Sequence, residues 1–243
     1  MGGTVTASAG NKLDGPTVQV WPARRAWNPA LETQYGNFIA HIGHAVAAGR
    51  CRTLAACLRD SAINPLFEPG AESLRFHADC ADVPYILRAY FAWKLRLPFA
   101  FRACGRGADG QPPTCDVTPQ HNQQAVPGTD EVNAFQEFSR VVAGTVHSAS
   151  ARTHPDSNAT DVYPVPLTRE SLLPGTVFAD PYGHLLIIAR WVPQTATDYG
   201  VLIGADARVE TNLLKRLQKA RRTELVTLVE VDEGKVALVS IDG

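Results

Sequence analysis

Three residues of this chain combine side-chain type, order and flanking sequence in a way that could carry nucleophilic chemistry: Cys80, His184 and Asp206. A cysteine attacks as the thiolate, and it needs a base within hydrogen-bond reach to become one. Imidazole accepts a proton near neutral pH, and a carboxylate on its far ring nitrogen fixes the tautomer and stabilises the imidazolium. Cys80 lies in the turn Asp79-Cys80-Ala81-Asp82 of "FHADCADVPYILRAYFAW", just ahead of an apolar helical pattern. A helix entrance lowers a thiol pKa and offers N–H donors to the oxyanion of an acyl-transfer intermediate. Asp79 and Asp82 act against that shift, so residue types alone leave its direction open. A cysteine here also has three other readings: a packed small hydrophobe, half of a disulfide, or a metal ligand.

The remaining cysteines narrow the choice. Cys51 and Cys57 flank "RTLAA", and Cys104 and Cys115 flank the Gly/Pro loop "GRGADGQPPT". Each local pair is expected to close a short disulfide loop, which places the chain in an oxidising compartment and leaves Cys80 as the odd thiol. Five reduced, buried cysteines are the alternative. No C-x-x-C and no Cys/His zinc spacing occurs, so no metal or cofactor is expected.

Elements must position these groups. "NPALETQYGNFIAHIGHAVAAG" reads as a helix that starts at Asn28-Pro29 and stops at Gly49. A short helix is expected around "TLAACLRD". Val83, Ile86, Leu87, Tyr90 and Phe91 recur at helical spacing, and Pro84 confines the start of their helix to about Ala81 or later. "LPFAFRAC" reads as a strand and "TDEVNAFQEFSRVVAGTVHSA" as a helix. After residue 162 the pattern turns to β, with "GTVFAD", the buried run "HLLIIARWV", its antiparallel neighbour "YGVLIGADA", and a final hairpin turning at Asp232-Glu233-Gly234. A polar helix is expected over 210–222.

His184 stands at the mouth of the buried strand, after the turn Asp180-Pro181-Tyr182-Gly183. If its strand and the next form a hairpin across "PQTATD", Asp206 returns beside His184. Asp198, the second carboxylate considered, would lie at the hairpin's wrong end. His77 reads as an exposed loop residue, and Tyr90, Phe91 and Trp93 as core. Helices followed by an antiparallel sheet define an α+β fold.

These residues resemble a known group. "DCADVPYILRAYFAWKLRLPFAFRACGRG" looks like the transglutaminase-like segment in which a cysteine opens a helix and a short strand follows. "PGTVFADPYGHLLIIARW" is similar to the Gly-His strands of papain-like cysteine enzymes, including NlpC/P60 peptidases. The resemblance covers about residues 75–104 and 172–207. It implies a papain-like α+β fold, N-terminal helices packed on an antiparallel sheet, with Cys80 as nucleophile, His184 as base and Asp206 as its orienter. The implied activity is that of a thiol-dependent hydrolase or acyltransferase on amide bonds of peptides or peptidoglycan-type cell-wall peptides. The alternative is a papain-like interaction domain without activity. The expected organisation is a linker over 1–20 and a single domain over 21–243, with a helical insertion at about 105–160.

Composition sets the outer bounds. In 243 residues, 45% apolar and 19% charged content suits a folded chain with a sizeable core. A net charge of −1 with scattered basic residues argues against nucleic acid as partner, and "KRLQKARR" at 215–222 reads as a solvated helix face. No apolar run approaches the roughly 18 residues of a membrane span. The opening "MGGTVTASAGNKLDG" has neither the basic nor the apolar region of a signal peptide. The disulfide expectation nevertheless favours an extracytoplasmic, periplasmic or secreted setting.

Overall fold

Asn28 accepts the amide of Leu31 at 3.0 Å and Pro29 fills the first helical position, so α1 runs Pro29–Ala47, as the sequence predicts. The computed structural model describes residues 16–76, 78–128, 130–166, 168–179, 184–193, 195–197, 200–205, 227–231 and 234–241. Ahead of α1 lies β1 (Thr17–Gln19). After it come α2 (Leu54–Arg59), with Thr53 capping Ala56, and the central α3 (Asp82–Leu95). β2 (Ala100–Phe101), β3 (Gln120–His121) and β4 (Ala125–Pro127) follow. Asp130 then accepts the amide of Asn133 to start α4 (Glu131–Thr145). The rest of the chain contributes β5 (Val177–Ala179), β6 (Leu185–Val192), β7 (Gly200–Ala205), β8 (Thr227–Val231) and β9 (Gly234–Ile241). No helix among the described residues is long and apolar enough to cross a membrane.

The large sheet has the order β5-β6-β7-β9-β8. β6 pairs antiparallel with β7, and β8 with β9, which matches the two expected hairpins; β6 also pairs antiparallel with β5. β7 and β9, however, run parallel. The expected sheet was antiparallel throughout; the observed one is mixed. Parallel neighbours need a long crossover connection, and residues 206–233 supply the length. The helix expected over 210–222 falls on that connection, outside the described residues.

Two further differences are local. The end of the expected 1–20 linker forms β1, which pairs with β4, because Val20 and Trp21 behind it are fully buried; residues 1–15 lie outside the described residues. The strand expected over 97–104 reduces to Ala100–Phe101 paired with β3. Asn122 takes over the backbone there: its side chain accepts the amide of Phe99 and donates to the carbonyl of Trp21.

α3 is the axis of the core. Its residues Tyr90, Phe91 and Trp93 are buried, as expected, and Trp93 stacks on Phe135 of α4 with ring centroids 4.3 Å apart. Trp21 closes on Phe135 and Phe138 and donates to the carbonyl of Leu97 at 2.8 Å. On the other side α1 and α3 pack on β6, and Ile187 joins the same apolar cluster. A dense aromatic layer of this kind fixes α3 against the sheet, because buried rings leave little room to shift.

Candidate active site

Cys80 occupies the turn that leads into α3, half-buried, and takes no part in a disulfide. The two expected bridges are present: Cys51–Cys57 with S–S 2.03 Å and Cys104–Cys115 with S–S 2.05 Å.

The carboxylates around Cys80 are both engaged by the backbone. Oδ1 of Asp79 accepts the amides of Ala81 at 2.7 Å and Asp82 at 3.2 Å, while Oδ2 of Asp82 accepts the amide of Asp79 at 2.7 Å. This is a reciprocal capping box, and Cys80 sits inside it. The amides of Asp82 and Val83 also bond the carbonyl of Asp79, so the first turn is formed without help from Pro84, which has no N–H to give. One expectation changes as a result. The entrance amides of Ala81 and Asp82, counted on for an oxyanion, are already taken by Asp79.

Asp82 is only 3% exposed, and its Oδ1 is buried without a hydrogen-bond partner among the described residues. Burial pushes its carboxyl up to about 7; the bond from the Asp79 amide pulls it down and the Asp79 charge adds a smaller upward push.

His184 directly precedes β6 and is half-buried. Arg152 Nη2 donates to its carbonyl at 3.2 Å and Nη1 to the carbonyl of Ser148, tying the strand mouth to the short 3-10 turn Ser148–Ala151. The Nδ1 of His184 is buried with no hydrogen-bond partner among the described residues. Asp206, His77 and Asp198 lie outside the described residues, as does the turn 180–183. Ala205, the residue before Asp206, pairs with Ile187 across β6 and β7.

The neighbours of the candidate residues meet at one place. Val83, three residues after Cys80, and Ile187, three residues after His184, line an apolar cavity of about 40 Å³ together with Ala205. The entrance of α3 and the mouth of β6 thus converge on the same part of the core.

A buried polar node braces this region from the side. Tyr85 of α3 donates to Asp161 Oδ2 at 3.2 Å, and the amide of Arg102 donates to the same oxygen at 2.9 Å. Burial raises the Asp161 carboxyl, against the lowering effect of the Arg102 amide, the Tyr85 hydroxyl and the Arg102 charge. Arg102 reaches on to the carbonyls of Asp116 and Val117, beside the second disulfide. Asp161 and the link from Arg152 to His184 escape sequence reading, since these partners are far away in the chain. The spacing of Asp79 and Asp82 matches a capping box, a signal that could have pointed to their reciprocal bonds. Among the described residues no group of three or more His, Cys, Asp or Glu is arranged for a metal ion. In comparisons with known proteins the chain matches no family model, no curated protein and no solved structure.

Proposed function

We propose that this chain is a thiol-dependent hydrolase or acyltransferase of peptide-type amide bonds, with Cys80 as nucleophile, His184 as base and Asp206 orienting His184. The observation that carries the reading is the shared cavity wall of Val83, Ile187 and Ala205, each close in sequence to one of the three residues. The buried Nδ1 of His184, without a hydrogen-bond partner among the described residues, supports it, because that atom is the one a carboxylate would engage. In the reaction the Cys80 sulfur bonds to the carbonyl carbon and the C–N bond breaks. His184 passes the thiol proton to the leaving amine, and water or a second amine releases the acyl group from sulfur. Two disulfides favour an extracytoplasmic setting, with a peptide or peptidoglycan-type substrate.

The test is the reactivity of Cys80. A nucleophilic Cys80 reacts with iodoacetamide at about pH 6 on the order of tenfold or more faster than a free thiol, and His184→Ala removes the advantage. Hydrolysis of peptide amides should disappear in Cys80→Ala. A Cys80 no faster than a free thiol sinks the reading.

One observation favours a second reading, a papain-like interaction domain without activity. Asp79 occupies the two amides that would otherwise face an oxyanion. Under this reading Cys80 is slow to alkylate and peptide amides are not cleaved.

A further inference from the structure

Asp82 stands two residues from Cys80 within one helical turn, and its carboxyl has two unlike oxygens. Oδ2 is held by the Asp79 amide at 2.7 Å, whereas Oδ1 is buried and accepts nothing among the described residues. An ionised carboxylate buried with one oxygen bare is costly, so the neutral acid is the form this site favours. Asp79, by contrast, is exposed and has its Oδ1 on two amides. The two acids flanking the thiol are therefore not equivalent.

We propose that Asp82 is a positioning residue that sets the charge state of Cys80: as a neutral acid it adds no negative charge beside a thiolate, and once ionised it opposes one. The inference rests on the reading of Cys80 as the nucleophile. Asp79 shares the turn of Asp82, and Asp161 and Arg102 meet Tyr85 one turn further along α3. His184 leads β6, the strand on which α3 packs, with Arg152 on its carbonyl. The shift of the Asp82 carboxyl to about 7 places its ionisation in the range where a helix-entrance thiol also titrates.

Asp82→Asn tests this, since an amide oxygen still accepts the Asp79 amide while the charge is gone at every pH. Cys80 alkylation by iodoacetamide is followed in wild type and variant from about pH 5.5 to 8.5. The expected ratio of variant to wild-type rate is near one at the acid end and rises to roughly three- to tenfold at the alkaline end. A purely structural cap would give a ratio flat with pH, and that result overturns the proposal. Should Asp82→Asn fail to fold, the wild-type Asp82 carboxyl is titrated by NMR before and after methylation of Cys80. Coupling is reciprocal, so the Asp82 midpoint moves down once Cys80 no longer ionises; an unmoved midpoint overturns the proposal. His184→Ala separates the two failures. Unchanged alkylation in that variant removes His184 as base, whereas a flat Asp82→Asn ratio removes only the role of Asp82.

Discussion

Asp79 and Asp82 cap each other across Cys80, the amide of each bonded to the carboxylate of the other at 2.7 and 3.2 Å. Two acids beside a thiol would ordinarily suppress the thiolate by like charge. Here one acid is satisfied by amides at the surface and the other is buried. The turn therefore carries less negative charge below neutral pH than its sequence implies.

Burial of Asp82 makes stability depend on pH. Its carboxyl titrates near 7 in the folded chain against about 3.9 unfolded, so the native state holds a proton that the unfolded chain releases between those values. The contribution is complete below about pH 4 and is lost as pH rises through about 7. Asp82→Asn should flatten this dependence. Urea denaturation at about pH 5 and pH 8 should show wild type losing on the order of 2–3 kcal/mol more than the variant. Equal losses would mean that Asp82 is ionised in the native state at both pH values.

The disulfides give a simpler test. Peptide mapping without reductant should find an alkylated thiol only at Cys80, with Cys51 joined to Cys57 and Cys104 to Cys115. Cys51 and Cys57 are buried and six residues apart, so Cys51→Ala/Cys57→Ala loses a short constraint and packed sulfur together. Chain entropy alone gives about 2–3 kcal/mol for a loop of that size. Urea midpoints of the oxidised protein and the double variant measure it.

Helices were legible where periodicity and a start signal agree, as with Asn28, Pro29 and Gly49 around α1. The β6–β7 hairpin was legible from two apolar runs joined by a polar link. The parallel β7–β9 pair was not, since nothing local marks a crossover. β3 is too short to leave a pattern, and β2 is only two residues of the strand read over 97–104, where Asn122 bonds stand in for the missing ladder. At the site, Cys80 and His184 stood out by placement at element ends. The different fates of Asp79 and Asp82 did not, because burial within one turn depends on what packs over it.

Asp161 illustrates a contact no local pattern carries, since Tyr85 is 76 residues away. Asp161→Ala would leave the Tyr85 hydroxyl and the Arg102 amide without this acceptor in a largely buried place. The expected loss is about 1–3 kcal/mol, with Tyr85→Phe costing less because the carboxylate keeps the Arg102 amide. Thermal melts of the two variants check the order. A Tyr85→Phe loss equal to that of Asp161→Ala would mean that the hydroxyl carries the whole node.

The last prediction concerns the contact that sets α1 against β6. A methyl added at Gly43 would meet the Ala189 Cβ at 2.6 Å, well inside van der Waals contact. Ala would otherwise favour the helix by roughly 0.5–1 kcal/mol over Gly. The overlap wins, because Ala189 Cβ is fixed to the strand backbone and cannot rotate away. Gly43→Ala is therefore expected to destabilise by about 1–3 kcal/mol. Ala189→Gly alone removes a buried methyl and should also destabilise. In the double variant the two methyls exchange places, so the losses should not add, with a coupling of about 1–2 kcal/mol in the restoring direction. Gly43 and Ala189 line the same cavity as Val83, so displacement of α1 should also disturb α3 and alter Cys80 alkylation in Gly43→Ala. Urea midpoints and alkylation rates of the four proteins in the cycle decide the matter. Strict additivity would show that the α1–β6 contact yields without strain.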